Sequence, residues 1–205
     1  KQHMSGTVAQ SMENLGVSYK LNYGVNISEL REIAKDYLGD HELALALFQE
    51  DIRECKILAS MIDDPEKVTG EQIDNWAQSF NNIEIVEQVC RNLLWKSDYA
   101  LSRSIEWSLS NDELMQRAGL IIAAHSAFNA DIKDSVFEPY LEIINNFDDN
   151  EIASNKNSIA FALRSFAKRN DNFKENVLSL ANTLAESEDV HRAWIGGQLL
   201  FELDQ

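Results

Sequence analysis

Two prolines and eight glycines in 205 residues leave little to interrupt a helix. β-Branched residues nowhere alternate over a useful length, so a sheet has no support. Cysteine is equally scarce. Cys55 and Cys90 sit inside apolar helical patterns with no Cys or His at metal-ligand spacing, which argues against both a disulfide framework and a zinc site. No run of about 18 apolar residues occurs, and the opening Lys1-Gln2-His3-Met4-Ser5-Gly6 lacks the apolar core of a signal peptide. The expectation is a protein of the reducing cytoplasm that neither spans nor crosses a membrane. Positive charge is also in short supply: 18 Lys and Arg face 34 Asp and Glu, a net charge of −16. A dedicated nucleic-acid binder needs a basic footprint, because phosphate neutralisation supplies most sequence-independent affinity. The chain as a whole has none, although a local basic stripe can act inside an acidic whole, since charges more than about 8–10 Å apart are largely screened.

What the sequence does have is helical periodicity. Apolar residues spaced three and four apart predict amphipathic helices near 7–19, 28–38, 41–49, 51–62, 70–79, 83–95, 98–109, 112–127, 132–147, 151–168, 172–186 and 189–203. Start and stop signals agree with this reading. Asp63-Asp64-Pro65 ends one helix, Thr69-Gly70-Glu71-Gln72 has capping-box form, and Asn111-Asp112-Glu113 sets carboxylates against the positive end of a helix dipole. Short connections make successive helices antiparallel, and from residue 51 the pairs recur about every 40 residues, the scale of HEAT and armadillo units. Such a pair cannot bury its apolar stripe alone and must stack on its neighbours. The expected fold is therefore all-α, an α-solenoid of HEAT-like antiparallel helix pairs, forming a single domain over 1–205 with a short N-terminal helical segment, 1–38.

Several helices carry an arginine beside a small or apolar run: Arg53, Arg117, Arg164 and Arg192. On inner-layer helices they would line one concave surface. The competing reading makes each a solvated position paired with a neighbour such as Glu54.

The order and spacing of several segments carry a family resemblance over nearly the whole chain. They are Tyr23-Gly24-Val25 with Leu30-Arg31-Glu32-Ile33-Ala34-Lys35, Ile52-Arg53-Glu54 with Ile57-Leu58-Ala59, Gln116-Arg117-Ala118-Gly119, and Ala162-Leu163-Arg164 with Lys168-Arg169-Asn170. Together they resemble the AlkD-like DNA alkylation repair proteins. The resemblance implies a HEAT-like solenoid related to glycosylases that release N3- and N7-alkylated purines without flipping the lesion into a pocket. It also implies a tryptophan and an aspartate four residues apart, an arginine on the next repeat, and a second tryptophan further on. An alkylated purine is a cation, so aromatic faces attract it, and a carboxylate stabilises positive charge developing on the sugar. The arginine anchors a phosphate.

On this chain the resemblance places the first tryptophan at Ile83, the aspartate at Glu87 as the candidate catalytic residue, the arginine at Arg117 and the second tryptophan at Phe161. Arg53, Arg164 and Lys168 are further candidate DNA contacts. Ile83 has no π face, Glu87 sets its carboxylate one methylene further out, and fewer residues precede Gly24 than active relatives carry. These departures lead to an expectation of weak or lost excision with residual binding of duplex or branched DNA. The alternative is a non-catalytic scaffold that binds a protein or peptide on its concave face. A monomer without cofactor or metal is expected in either case. His3, His41, His125 and His191 lack ligand spacing and read as surface or boundary residues. Trp76, Trp95, Trp107 and Trp194 fall on amphipathic helices, where burial competes with a base-stacking role. Gly196-Gly197 reads as a close-packing site on the last helix.

Overall fold

The computed structural model describes residues 4–14 and 16–203, so His3 lies outside the described residues. Among these the chain forms twelve α-helices and no strand; Leu21 and Ile52 make an isolated bridge. The fold is the expected all-α arrangement of HEAT-like helix pairs. The helices are α1 (Gly6–Asn14), α2 (Ile27–Ala34), α3 (His41–Gln49), α4 (Arg53–Ile62), α5 (Gly70–Ala77), α6 (Ile83–Asn92), α7 (Ala100–Ser108), α8 (Glu113–Ser126), α9 (Glu138–Asn146), α10 (Asp149–Ala167), α11 (Asp171–Ala185) and α12 (Val190–Leu203). Side-chain oxygens of Asn26, Asp40, Thr69, Asn82, Asp112, Asp148 and Asn170 accept the first free amides of their helices. Among the described residues no helix is long and apolar enough to cross a membrane.

Two boundaries differ from the sequence reading. The first helix stops at Asn14 rather than near 19, because the chain leaves it at Gly16, whose amide returns to Glu13 while that of Val17 returns to Met12. The helix expected from 132 begins only at Glu138, after a 3₁₀ turn at Asp134–Val136. Pro139 is the cause: it lacks an N–H and fits only the first turn of a helix, so α9 has to start beside it.

The chain falls into two compact units, Lys1–Ala100 and Leu101–Gln205. In the first, α2, α4 and α6 pack side by side and α3 folds back on α4. Two hydrogen-bonded links fix the direction of α4 and α6. Arg53 reaches Glu84 at their beginnings, and Asn92 donates to Ser60 (3.0 Å) near their ends. Contacts that advance by seven and eight residues together make the two helices parallel, as successive repeats of one layer should be. On the other layer Phe48 of α3 stacks on Trp76 of α5, ring centroids 3.8 Å apart and planes 1° from parallel.

The second unit repeats this arrangement. Asn155 donates to Gln116, and Phe161 meets His125, so α8 and α10 run parallel. Lys156 lies over Trp194, and Arg164 pairs with Glu202, so α12 continues the layer. Beneath it Phe137, Tyr140, Phe166 and Phe173 form the centre of a core built by α8 to α12. Two glycines of this unit permit close approaches between helices. A Cβ on Gly119 would stand 2.4 Å from the Ser104 carbonyl oxygen, and one on Gly196 would stand 2.4 Å from the Ala181 carbonyl. Gly197 faces open space, so only the first of the expected glycine pair packs closely. Gly119→Ala is expected to destabilise the protein by about 1–3 kcal/mol through overpacking against backbone, measured by urea unfolding, while Gly197→Ala stays neutral or stabilises.

Candidate nucleic-acid interface

In the first unit, the buried Asn82 caps α6 by accepting the Ile85 amide (3.1 Å), and this fixes the orientation of the helix's first turn. Ile83 follows the cap and is 47% exposed. Glu87 lies one turn further along the same face, and it too is partly open. The two positions assigned by resemblance thus share one accessible face, as a reaction site requires. What they present there is an aliphatic side chain and a carboxylate, with no ring.

Arg53 does not join them at the surface. Its side chain is 3% exposed, and its guanidinium makes a bidentate pair with Glu84 (2.7 and 2.6 Å) while donating to Glu54 (3.0 Å) and the Val25 carbonyl (2.7 Å). Burial alone would pull this group down, but Glu84 and Glu54 more than offset it and hold its pKa above the ordinary value. Glu54 in turn accepts the amides of Tyr23 and Val25. Tyr19 donates to Glu84 (2.9 Å); burial and then the Glu84 charge push its hydroxyl far above the usual tyrosine range.

In the second unit, Arg117 lies buried on α8 and donates to the Ser154 carbonyl and the Ser158 hydroxyl of α10. Two turns on, His125 meets Phe161 edge to face, with ring centroids 5.1 Å apart. Phe161 is half-buried, one side packed on the core. Phe161, Arg164 and Lys168 follow at spacings of three and four along one face of α10, and Lys168 is exposed. Arg164 forms a bidentate pair with Glu202. Sequence reasoning missed the pair beside it: Lys156 stands 5.4 Å from the ring centroid of Trp194, which is 41% exposed. Of the four tryptophans, Trp76 and Trp107 are buried as expected of core residues, whereas Trp194 opens to solvent. The apolar stripe of the last helix hid that distinction, because Val190 and Phe201 share the exposed face.

Two further arginines tie loops down. Arg169 pairs with Asp134 (2.7 Å), donates to the carbonyls of Ala127, Asn129 and Ile132, and lies over the Phe137 ring. Hydrogen bonds from Arg169 and Asn170 hold the Asp134 carboxyl below its ordinary pKa. Arg192 joins Asp149 (2.9 Å) and the Phe147 carbonyl. Among the described residues no three His, Cys, Asp or Glu side chains converge as a metal site.

The family model described as DNA alkylation repair enzyme matches residues 1–188. The chain belongs to this DNA alkylation repair family. A solved structure described as "a new family of proteins related to the HEAT-like repeat DNA glycosylases with affinity for branched DNA structures" superposes with a TM-score of 0.82 at 18% identity, covering 99% of this chain and 90% of that one. Curated proteins yield no match. For a DNA alkylation repair protein, the division of labour among the shared segments is informative. Tyr23-Gly24-Val25 and Arg53-Glu54 are the two sides of one clamp. In the same way Gln116-Arg117 binds α8 to α10, and Arg169-Asn170 holds the turn before α9 and caps α11. The segments that signal membership are therefore largely those that hold the repeats together.

Proposed function

We propose that this family member binds DNA, with a preference for branched or distorted duplexes, and excises alkylated bases weakly or not at all. One observation supports the binding half: the α8, α10 and α12 layer keeps aromatic rings accessible beside cations, with Trp194 under Lys156 and Phe161 near Arg164 and Lys168. A burial-driven core would have covered these rings, whereas a strand or an unstacked base step needs such a surface. The choice of a branched partner follows the affinity stated for the structurally similar protein. Loss of excision is supported by Ile83 at the tryptophan position. We assign substrate contact to Phe161, Arg164 and Lys168, and a residual role in chemistry to Glu87. Arg53 and Arg117 act as supports of the layer.

Fluorescence anisotropy at about 50 mM salt, comparing a four-way junction with a linear duplex, tests the reading. The junction is expected to bind more tightly, and Trp194→Ala to weaken it by about 5- to 100-fold, the range for losing one stacked base. Equal affinity for both DNAs, or no binding of either at low salt, would overturn it. A second reading, a scaffold for a protein partner, draws on the net charge of −16 and on an apolar groove in the first unit lined by Ile33, Tyr37, Leu43, Leu47, Leu58 and Ile62. Absence of DNA binding would move the assignment there.

A further inference from the structure

We propose that the first unit holds a separate ligand site: a cavity that takes a small phosphorylated organic molecule, its anion held by Lys56, its apolar part against Leu45 and Trp76, and its far end against His41. The cavity lies among α3, α4 and α5 and measures about 530 Å³, within the range of small-molecule sites. It involves none of the residues assigned above to DNA.

Lys56 supplies the first reason. Its ammonium is half-buried, 3.1 Å from the Phe48 carbonyl and 3.3 Å from the Ser79 hydroxyl, and 4.6 Å from the Phe48 ring centroid. None of these partners carries a negative charge, although the chain has 34 acidic residues to offer. An ammonium has three donors, and two are engaged. Burial accordingly lowers its pKa, with Asp51 acting in the opposite direction from a distance. A partly desolvated cation without an ion-pair partner, lining a cavity, is a ready anion receptor.

His41 supplies the second. Its Nδ1 lies 2.7 Å from Asp63, whose side chain is completely buried. Both Asp63 oxygens are taken: Oδ1 by His41 and the Asp64 amide, Oδ2 by Gln72 at 2.6 Å. The carboxylate therefore cannot meet a ligand. Its effect is to fix the imidazole, with the proton on Nδ1 and the Nε2 lone pair on the ring's other edge, an acceptor for a donor of the ligand. A buried, fully bonded carboxylate devoted to orienting one histidine on a cavity wall is costly unless that histidine's orientation matters. The Phe48–Trp76 stack and Leu45 form the apolar wall, while the amides of Gln49 and Asn75 add donors. The one carboxylate in the lining, Glu71, is exposed.

Isothermal titration of the full chain with phenyl phosphate, inorganic phosphate and phenol separates the two contributions, and the Trp76 indole proton reports occupancy by NMR. Phenyl phosphate is expected to bind one-to-one with a Kd on the order of 0.1–1 mM, and more tightly than either fragment. Lys56→Met and Lys56→Gln should each weaken it about tenfold, with His41→Gln weakening it several-fold and Lys56→Arg retaining most of the affinity. Unfolding midpoints of the variants verify that the fold is intact. No saturable binding, or unchanged affinity in both folded Lys56 variants, would overturn the proposal. So would displacement of phenyl phosphate by an equimolar short DNA duplex, which would transfer the cavity to the nucleic-acid surface. Retained phenyl phosphate binding in a protein that fails to bind junction DNA would support the cavity while removing the DNA reading.

Discussion

Arg53→Ala is expected to lower the unfolding free energy by about 3–5 kcal/mol, the usual consequence of removing one member of a buried ion pair. The loss has several components. Glu84 and Glu54 would keep their charges in a site where the Arg53 side chain is 3% exposed, and the Val25 carbonyl would lose its donor. The clamp between α4, the start of α6 and the 23–25 turn would open together. Arg53→Met combined with Glu84→Leu should recover part of the stability, because an apolar pair removes the Arg53 and Glu84 charges together, while Glu54 keeps only its bonds from the Tyr23 and Val25 amides. Denaturant unfolding of the four proteins in the cycle measures this. A change below about 1 kcal/mol in Arg53→Ala, accompanied by a large loss of DNA affinity, would instead make Arg53 a phosphate contact.

That distinction marks where sequence reading reaches its limit. Helix number and approximate position were legible, because burial of one stripe imposes a 3.6-residue period that any segment displays by itself. Exceptions arose where one residue dominates locally, as Pro139 does at the start of α9. The fate of an arginine was not legible. Arg53 and Arg192 both read as polar positions on amphipathic helices, yet their partners Glu84 and Asp149 lie 31 and 43 residues away. Arg117 likewise meets Ser158 at a separation of 41 residues. Such separations span from one repeat to the next, so these arginines serve to join neighbouring repeats. The same limit hid the cavity. His41 looked like an isolated boundary residue because Asp63 comes 22 residues later, at the end of the next helix. Lys56 and Ser79, 23 residues apart, meet only after α4 and α5 have packed.

The chemistry is where the largest effect is expected. The protein should release N3-methyladenine or N7-methylguanine from duplex DNA at least about 10²-fold more slowly than a family member carrying the tryptophan and aspartate, because a carboxylate misplaced by about 1 Å alone costs that much. Ile83 adds to this. It is 47% exposed, so a base could reach it, but it offers no π face; losing that cation contact costs about 0.5–2 kcal/mol. Arg117 adds a third factor, since its guanidinium is buried and already donates to Ser154 and Ser158, so presenting it to a phosphate competes with those bonds. These factors act on different parts of the reaction, on the base, the sugar and the phosphate, and their costs need not add. Single-turnover excision from a duplex with one N7-methylguanine, run on wild type and on Ile83→Trp/Glu87→Asp, separates them. Wild-type release as fast as that of an intact member would defeat the prediction. Recovery in the double variant would locate the defect in the two α6 side chains and leave the DNA-binding layer intact. If the double variant binds junction DNA but still fails to excise, the engaged Arg117 becomes the limiting element. Ser158→Ala, which frees one guanidinium donor, should then raise the rate.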